Sequence, residues 1–149
     1  MLPADVFFVK NRITALRPGE LLRAIRIPKQ HWPVGGAAFV KLGKRRGHVI
    51  ATLNLAGSVG MDEHGVIRSA RLAGGTLAEK PIRFYESEKL LIGCPAGGEK
   101  LRDAIGQVQA CMQTEMRPRD SRRGSRQYRI AASTAAMADV IFRACGREE

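Results

Sequence analysis

Residues 39–46, with the sequence F-V-K-L-G-K-R-R, contain several basic side chains spaced so that they could bind an anion. If this segment is a strand, residues four apart lie on the same face, about 13 Å from each other. Lys41 and Arg45 would then project from one side, and Lys44 from the other. Two interpretations remain open. The segment is either a solvated edge strand that its charges protect against pairing, or a pair of cations facing a pyrophosphate or the anionic ring of a reduced flavin.

A second basic cluster covers residues 117–129, with the sequence R-P-R-D-S-R-R-G-S-R-Q-Y-R. Asp120, Ser121 or Ser125 could cap a helix that follows. Tyr128 is expected to begin the buried stripe of that helix. A single-stranded nucleic-acid site would interleave aromatic platforms with the basic residues, and Tyr128 is the one aromatic residue in the cluster. The cluster therefore favours a structural role or contact with another subunit.

Catalytic and metal-binding motifs are missing from the sequence. It contains no H-E-x-x-H, no Walker loop, no G-x-G-x-x-G after a strand and no Ser-His-Asp order with supporting turn chemistry. The cysteines and histidines are scattered, without the spacing of metal ligands: Cys94, Cys111, Cys145, His31, His48 and His64. We expect free thiols, as in a reducing compartment, and no metal site. No catalytic residue is assigned, and an independent enzyme is not expected.

The composition fits one domain with one hydrophobic core, since the chain has 149 residues of which 44% are apolar. Lys and Arg number 25 against 14 Asp and Glu, a net charge of +11. Such a charge suits an acidic partner, a nucleic acid or a phosphate-bearing cofactor. No apolar run approaches a membrane span, and the N-terminus lacks a signal-peptide pattern. We therefore expect a cytoplasmic protein that has no membrane attachment.

The hydrophobic periodicity predicts strands first and helices last. Alternation predicts strands at 20–28, 36–45, 49–61 and 66–72, the last two joined as a hairpin by a turn at 62–65. Residues 85–92 are predicted as a short helix. Apolar residues at helical spacing predict two longer helices: one carries Leu101, Ala104, Ile105, Val108 and Met112, and the other carries Tyr128, Ala131, Ala135, Ala138, Phe142 and Cys145.

This order of elements indicates an α+β fold. We expect an antiparallel sheet of three to four strands followed by about three helices packed on one face, a two-layer sandwich. The other face of the sheet would then need a partner. Residues 1–19 show no clean period and are expected to be a lead-in segment to a single domain at 20–149.

Four short segments recur in an order and spacing that resemble a known family. They are L-R-P-G-E-L-L-R-A-I-R-I-P (16–28), F-V-K-L-G-K-R-R (39–46), G-V-I-R-S-A-R-L-A-G-G-T-L-A-E-K-P-I-R (65–83) and D-S-R-R-G-S-R-Q-Y-R (120–129). Together they resemble the C-terminal domain of the FAD-binding subunit of molybdenum hydroxylases. That family includes the medium chains, or flavoproteins, of xanthine dehydrogenase and carbon monoxide dehydrogenase.

The resemblance implies a component of an oxidoreductase complex. Electrons would pass from a molybdenum centre through iron–sulfur clusters to FAD and on to an acceptor. It implies that Lys41 and Arg45 lie close to the flavin, and that 20–149 is a domain like the C-terminal domain of the CO dehydrogenase flavoprotein. Some members carry an acidic residue shortly after the arginine, where this chain has Gly47 and His48. That difference puts a carboxylate contact to the cofactor in doubt.

The resemblance also implies where the cofactors of the complex would be bound. The glycine-rich loops that wrap the FAD pyrophosphate are missing, so FAD would be shared with FAD-binding domains located upstream or on another chain. Molybdopterin and 2Fe-2S clusters would reside only in partner subunits. Nucleic acid is not expected as a partner, a homo-oligomer is left open, and the isolated chain is not expected to be catalytic. The alternative is a basic interaction or nucleic-acid-binding module without catalysis.

Overall fold

The computed structural model describes residues 1–29, 34–43 and 50–146. The elements in chain order are α1 (Ala4–Phe7), β1 (Phe8–Lys10), β2 (Ile13–Thr14), β3 (Val34–Leu42), β4 (Leu53–Met61), β5 (Ile67–Gly75), β6 (Ile82–Arg83), α2 (Tyr85–Lys89), α3 (Gly98–Glu115) and α4 (Arg126–Ala144). β1 and β2 form a small two-stranded sheet. The main sheet is antiparallel, with its four strands in the order β3-β4-β5-β6. The predicted α+β fold is confirmed.

β4 and β5 form the predicted hairpin. Its turn is fixed by Asp62, whose carboxylate accepts hydrogen bonds from the backbone N–H groups of His64 (3.0 Å) and Val66 (2.9 Å). Gly65 has a φ of 72°, a conformation that glycine adopts without steric cost. The predicted strand at 36–45 is β3, although its predicted end at 44–45 lies outside the described residues, as does Val49.

The helices cover one face of the main sheet. α4 lies across β3 and β4, α2 packs beside β5, and α3 packs against α2 and α4. Two glycines let α4 approach closely: a Cβ on Gly36 would lie 2.7 Å from the carbonyl oxygen of Ala144, and a Cβ on Gly57 would lie 2.6 Å from a Val140 methyl group. A larger side chain at either position would push the helix off the sheet.

The stripe predicted for the first long helix is confirmed, since all five of its residues are buried in α3. The short predicted helix is found as α2, and the backbone turns that follow it end at Gly93, whose φ is 85°. α4 begins at Ser125, whose hydroxyl accepts a hydrogen bond from the Tyr128 N–H (3.1 Å). Of the three residues predicted as caps, Ser125 therefore takes the N-cap position.

The stripe predicted for α4 is wrong at its N-terminal end, whereas Ala138 and Phe142 pack against the core and Cys145 is buried. Tyr128 is 50% exposed, and Ala131 and Ala135 are exposed as well. The buried face instead carries Arg129, Ser133, Met137, Val140, Ile141 and Ala144. Small residues recur at helical spacing on both faces of α4, so spacing alone could not choose between them. The face with the longer apolar side chains turns toward the core because it removes more apolar surface from water.

The strand predicted at 20–28 is also wrong, because residues 21–29 have no regular secondary structure. Ile25 and Ile27 are 77% and 83% exposed. A strand forms only when its backbone N–H and C=O groups pair with a neighbour, and within the described residues no strand lies beside this segment. Residues 1–19 contain α1 and the small β1–β2 sheet, in which Phe7 and Phe8 make an edge-to-face contact at 5.2 Å.

Candidate functional site

The face of the main sheet that the helices leave uncovered carries three rows of side chains, set by the strand register. We call this surface the open face. Its rows, each running across the strands, are Ala37, Ser58 and Arg71, then Phe39, Ala56, Ala73 and Arg83, then Lys41, Asn54 and Gly75. The core-facing residues of β4 alternate with these positions and are buried.

Lys41 stands at one end of the open face. It is exposed and makes no ion pair with any described carboxylate. Its neighbour across the strands is Asn54, whose side chain lies directly over Gly75, in the space that a Cβ there would fill. The third row therefore offers an ammonium group and, beside it, an amide that fills the space over Gly75.

Arg45 and Lys44 both lie outside the described residues. The prediction that Arg45 shares a face with Lys41, and that Lys44 points the other way, stays a prediction. What β3 shows is the position of Lys41 itself, which the alternation along Phe39, Val40 and Lys41 places on the open face.

The centre of the open face is a shallow groove with an approximate volume of 530 Å³. Small side chains form its floor, those of Ala37, Ala56, Ser58 and Ala73, and Phe39 stands beside them with 61% of its surface exposed. The groove is therefore largely apolar, although it lies on the solvent side of the sheet.

Arg83 borders this groove and is held firmly in place. Its Nε and Nη2 donate to the two carboxylate oxygens of Glu88 at 2.8 and 2.7 Å, and its guanidinium lies 4.6 Å from the centre of the Tyr85 ring. The hydrogen bonds that Arg83 donates to Glu88 raise the pKa of Arg83 above its ordinary value, against the opposing effect of burial. Arg71 borders the same groove and has no ion pair among the described residues.

The second basic cluster forms a tight turn before α4. Ser121 and Gly124 exchange backbone hydrogen bonds at 3.1 Å, and the Asp120 carboxylate accepts the N–H of Arg126 at 2.6 Å. A cleft of about 450 Å³ is lined by this turn, by Tyr128 and Thr52, and by Gly43 just beyond β3. The structure therefore brings the second basic cluster next to the end of the strand that carries Lys41.

Arg129, which the sequence analysis did not single out, is the buried residue of this cluster, with 5% of its surface exposed. It donates to the carbonyls of Thr76 (3.1 Å) and Gly124 (3.4 Å) and to the Ser121 hydroxyl (2.7 Å). Burial is the main cause that lowers its pKa, and nearby arginines add to the effect. Its guanidinium joins the turn before α4 to the end of β5, which is a structural role. The spacing of Arg129 with Ser133 and Met137 was a visible signal, but a charged residue is by default expected outside.

Two further observations concern other kinds of site. No cluster of three or more potential metal ligands occurs among the described residues, and Cys94, Cys111 and Cys145 form no disulfide bond with one another. None of the helices in the described part of the chain is long and apolar enough to cross a membrane.

The amino-acid sequence of the chain is similar to those of known flavoproteins. The family model of the CO dehydrogenase flavoprotein C-terminal domain matches residues 38–144. The nicotinate dehydrogenase FAD-subunit of Eubacterium barkeri is 29% identical over 97 residues, covering 64% of this chain and 32% of that protein. The caffeine dehydrogenase subunit beta of Pseudomonas sp. (strain CBB1) is 35% identical over 99 residues, covering 66% and 32%. The chain thus spans about a third of the length of these curated relatives.

Solved structures show the same fold. Reconstituted CO dehydrogenase from Oligotropha carboxidovorans contains a chain that matches with a TM-score of 0.83 and 28% identity, over 96% of this chain and 48% of that one. Quinoline 2-oxidoreductase from Pseudomonas putida 86 matches with a TM-score of 0.79 at 23% identity, over 95% of this chain and 46% of that one. Both matched chains are about twice as long as the part that superimposes.

Proposed function

We propose that this chain, which belongs to the CO dehydrogenase flavoprotein C-terminal domain family, completes the flavin site of a molybdenum hydroxylase of the xanthine dehydrogenase type. The observation that carries the proposal is the third row of the open face. There Lys41 is exposed without a carboxylate partner among the described residues, beside Asn54 and Gly75. The membership gives no support to the alternative of a nucleic-acid-binding module.

The residues present fit one end of FAD and not the whole cofactor. Lys41 supplies a positive charge on an exposed side chain, and beside it the Asn54 side chain, which fills the space over Gly75, supplies a polar amide. The sequence has no glycine-rich loop of the kind that wraps a pyrophosphate. We therefore place the adenine and pyrophosphate contacts in the FAD-binding domains of the same subunit. The isolated chain would bind FAD weakly and would not be catalytic.

When bound, FAD would accept electrons from the iron–sulfur clusters and pass them to an acceptor. The contribution of this chain is electrostatic: an ammonium group fixed near the ring favours the ring's anionic reduced form. That contribution is largest where the neighbouring domains exclude water, because charges interact more strongly at low dielectric. The Asn54 amide, held over Gly75, is a second polar group in reach of the same edge of the sheet.

The proposed complex contains further parts. Residues 20–149 would form the domain, and residues 1–19 would be its lead-in segment. Molybdopterin and 2Fe-2S clusters would be bound by partner subunits. The assembled complex would be located in the cytoplasm. Coding sequences for those subunits should lie next to the one for this chain.

Co-expression tests the proposal. The chain is produced with and without the FAD-binding half of the subunit, taken from the same polypeptide or from the adjacent coding sequence. We expect FAD to be retained through gel filtration only when both parts are present. Equal FAD retention by the FAD-binding half alone and by the pair would contradict the proposal.

A further inference from the structure

The outward positions of the open face carry the wrong residues for contact with water. An antiparallel sheet with one solvated face normally alternates apolar residues inside with polar residues outside. Here the outward positions at the centre are Ala37, Phe39, Ala56, Ser58 and Ala73, of which Ser58 alone is polar. A contiguous apolar surface of this kind is typical of an interaction site.

The shape of the open face points to a close contact. Four small side chains form the floor of the groove, so the backbone of another segment can come near the sheet. Phe39 projects beside that floor with most of its ring exposed. An exposed aromatic residue next to an apolar depression has the character of an anchor that contributes much of the binding energy of an interface.

The charges around the groove define the chemistry of what covers it. Arg71 and Arg83 both border it, and Arg83 is held in a fixed orientation by Glu88 and Tyr85. Arg71 has no carboxylate partner among the described residues. The occupant therefore offers an apolar strip for the floor and at least one carboxylate for the arginines, because a covered guanidinium without a partner is costly.

A second copy of this chain does not satisfy that requirement. Two copies would meet through the same surface on both, related by a two-fold axis. The apolar strips would match, but the rows of the open face contain no Asp or Glu, so a second copy offers Arg71 no carboxylate there. A covered guanidinium without a partner opposes association.

We propose that the open face docks the half of the flavoprotein subunit that this chain does not contain, through an apolar segment flanked by carboxylates. The proposal rests on the proposed function. Two observations support it. The chain spans 48% of the CO dehydrogenase chain that it superimposes on. The cations at the groove, Arg71 and Arg83, call for carboxylates on whatever covers them. The interface would extend from the flavin end of the sheet, at Lys41, across the centre to Arg71 and Arg83.

Binding measurements on single variants test this docking surface. The probe is the FAD-binding half of the subunit, titrated with labelled chain in the presence and absence of FAD. We expect Phe39→Glu to raise the Kd about 30-fold or more and Arg71→Glu about 10-fold or more, as for residues at the centre of an interface. Arg102→Glu is the matched control, because Arg102 is an exposed arginine on α3 and its replacement changes the net charge equally. It should change the Kd less than about 2-fold.

The outcomes separate this inference from the proposed function. Circular dichroism first establishes that each variant is folded. Wild-type binding with FAD retention, combined with equal Kd values for Phe39→Glu, Arg71→Glu and Arg102→Glu, would overturn the docking surface alone. Binding that Phe39→Glu and Arg71→Glu weaken, but that occurs without FAD retention, would support the docking surface and overturn the flavin role. If the isolated chain forms a homodimer and Phe39→Glu dissociates it, the open face belongs to a second copy instead. If the wild-type chain fails to bind the FAD-binding half, both proposals are overturned.

Discussion

At the proposed flavin site, Lys41 would act through a local field, which would distinguish it from cations elsewhere on the chain. A positive charge near a reduced flavin matters only at short range and low dielectric. In the reassembled subunit we therefore expect Lys41→Ala to lower the FAD affinity or the flavin reduction potential. Arg45→Ala should act in the same direction, and Lys44→Ala should do much less.

All three variants remove one positive charge, so a long-range effect of net charge would treat them alike. Flavin titration and redox potentiometry on the three proteins make the comparison. Equal changes from Lys41→Ala and Lys44→Ala would show that the flavin does not lie on the side of the strand that carries Lys41.

Arg129 contributes to stability rather than to the flavin site. Its replacement by alanine would leave the carbonyl of Thr76 without this donor, would remove one of the two hydrogen bonds to the Gly124 carbonyl, and would open a cavity between α4 and the sheet. We expect Arg129→Ala to lower the free energy of unfolding by about 2–4 kcal/mol. Arg126→Ala, at an exposed position of the same helix, should change it by less than about 0.5 kcal/mol.

Chemical denaturation of the two variants checks this expectation. Similar unfolding midpoints would mean that the three hydrogen bonds of Arg129 contribute little, and that its side chain is replaceable by water.

At the scale of elements, the β4–β5 hairpin has a turn whose stability depends on pH. The Val66 N–H is the main cause that lowers the pKa of Asp62 below its ordinary value of 3.8, with help from Arg68 and His64. A carboxyl group whose folded pKa is lowered stabilises the fold above its unfolded pKa, and that stabilisation is lost as the pH falls through the folded pKa. Asp62→Ala should therefore be less stable than the wild type at pH 7, and the difference should shrink below about pH 4.

Thermal unfolding between pH 7 and pH 2.5 measures this convergence. Glu63→Ala is the control, because Glu63 is the exposed neighbour in the same turn and holds no hydrogen bond there. A constant gap between Asp62→Ala and the wild type across the pH range would mean that the turn does not depend on the charge of Asp62.

The elements also show which sequence signals were sufficient. The buried stripe of α3 was predicted to the residue because Leu101, Ile105, Val108 and Met112 leave one apolar stripe, and the hairpin was predicted because its turn chemistry fits one connection. α4 was placed correctly, but the N-terminal half of its buried face was assigned to the wrong side, since alanines recur on both faces. The alternation at 20–28 describes a segment that needs a neighbouring strand, and the part of the chain that the structure describes places none beside it.

At the scale of the whole molecule, the sequence singled out Lys41 and missed most of the open face. Lys41 stood out because a charge on a strand is unusual. Arg71, Arg83 and Asn54 come from three different strands, and only the register of the sheet puts them on one surface with Phe39. An uncovered face is visible from the order of elements, but the residues that recognise a partner on it are set by long-range pairing.

The position of β3 at the edge of the main sheet has a consequence for handling this domain in isolation. A free edge strand offers a row of backbone donors and acceptors to any other strand. Among the described residues no strand pairs with the outer edge of β3, so the chain produced alone presents a strand edge next to the apolar open face. Both features favour aggregation, and the soluble yield of the isolated chain should therefore fall as its concentration rises.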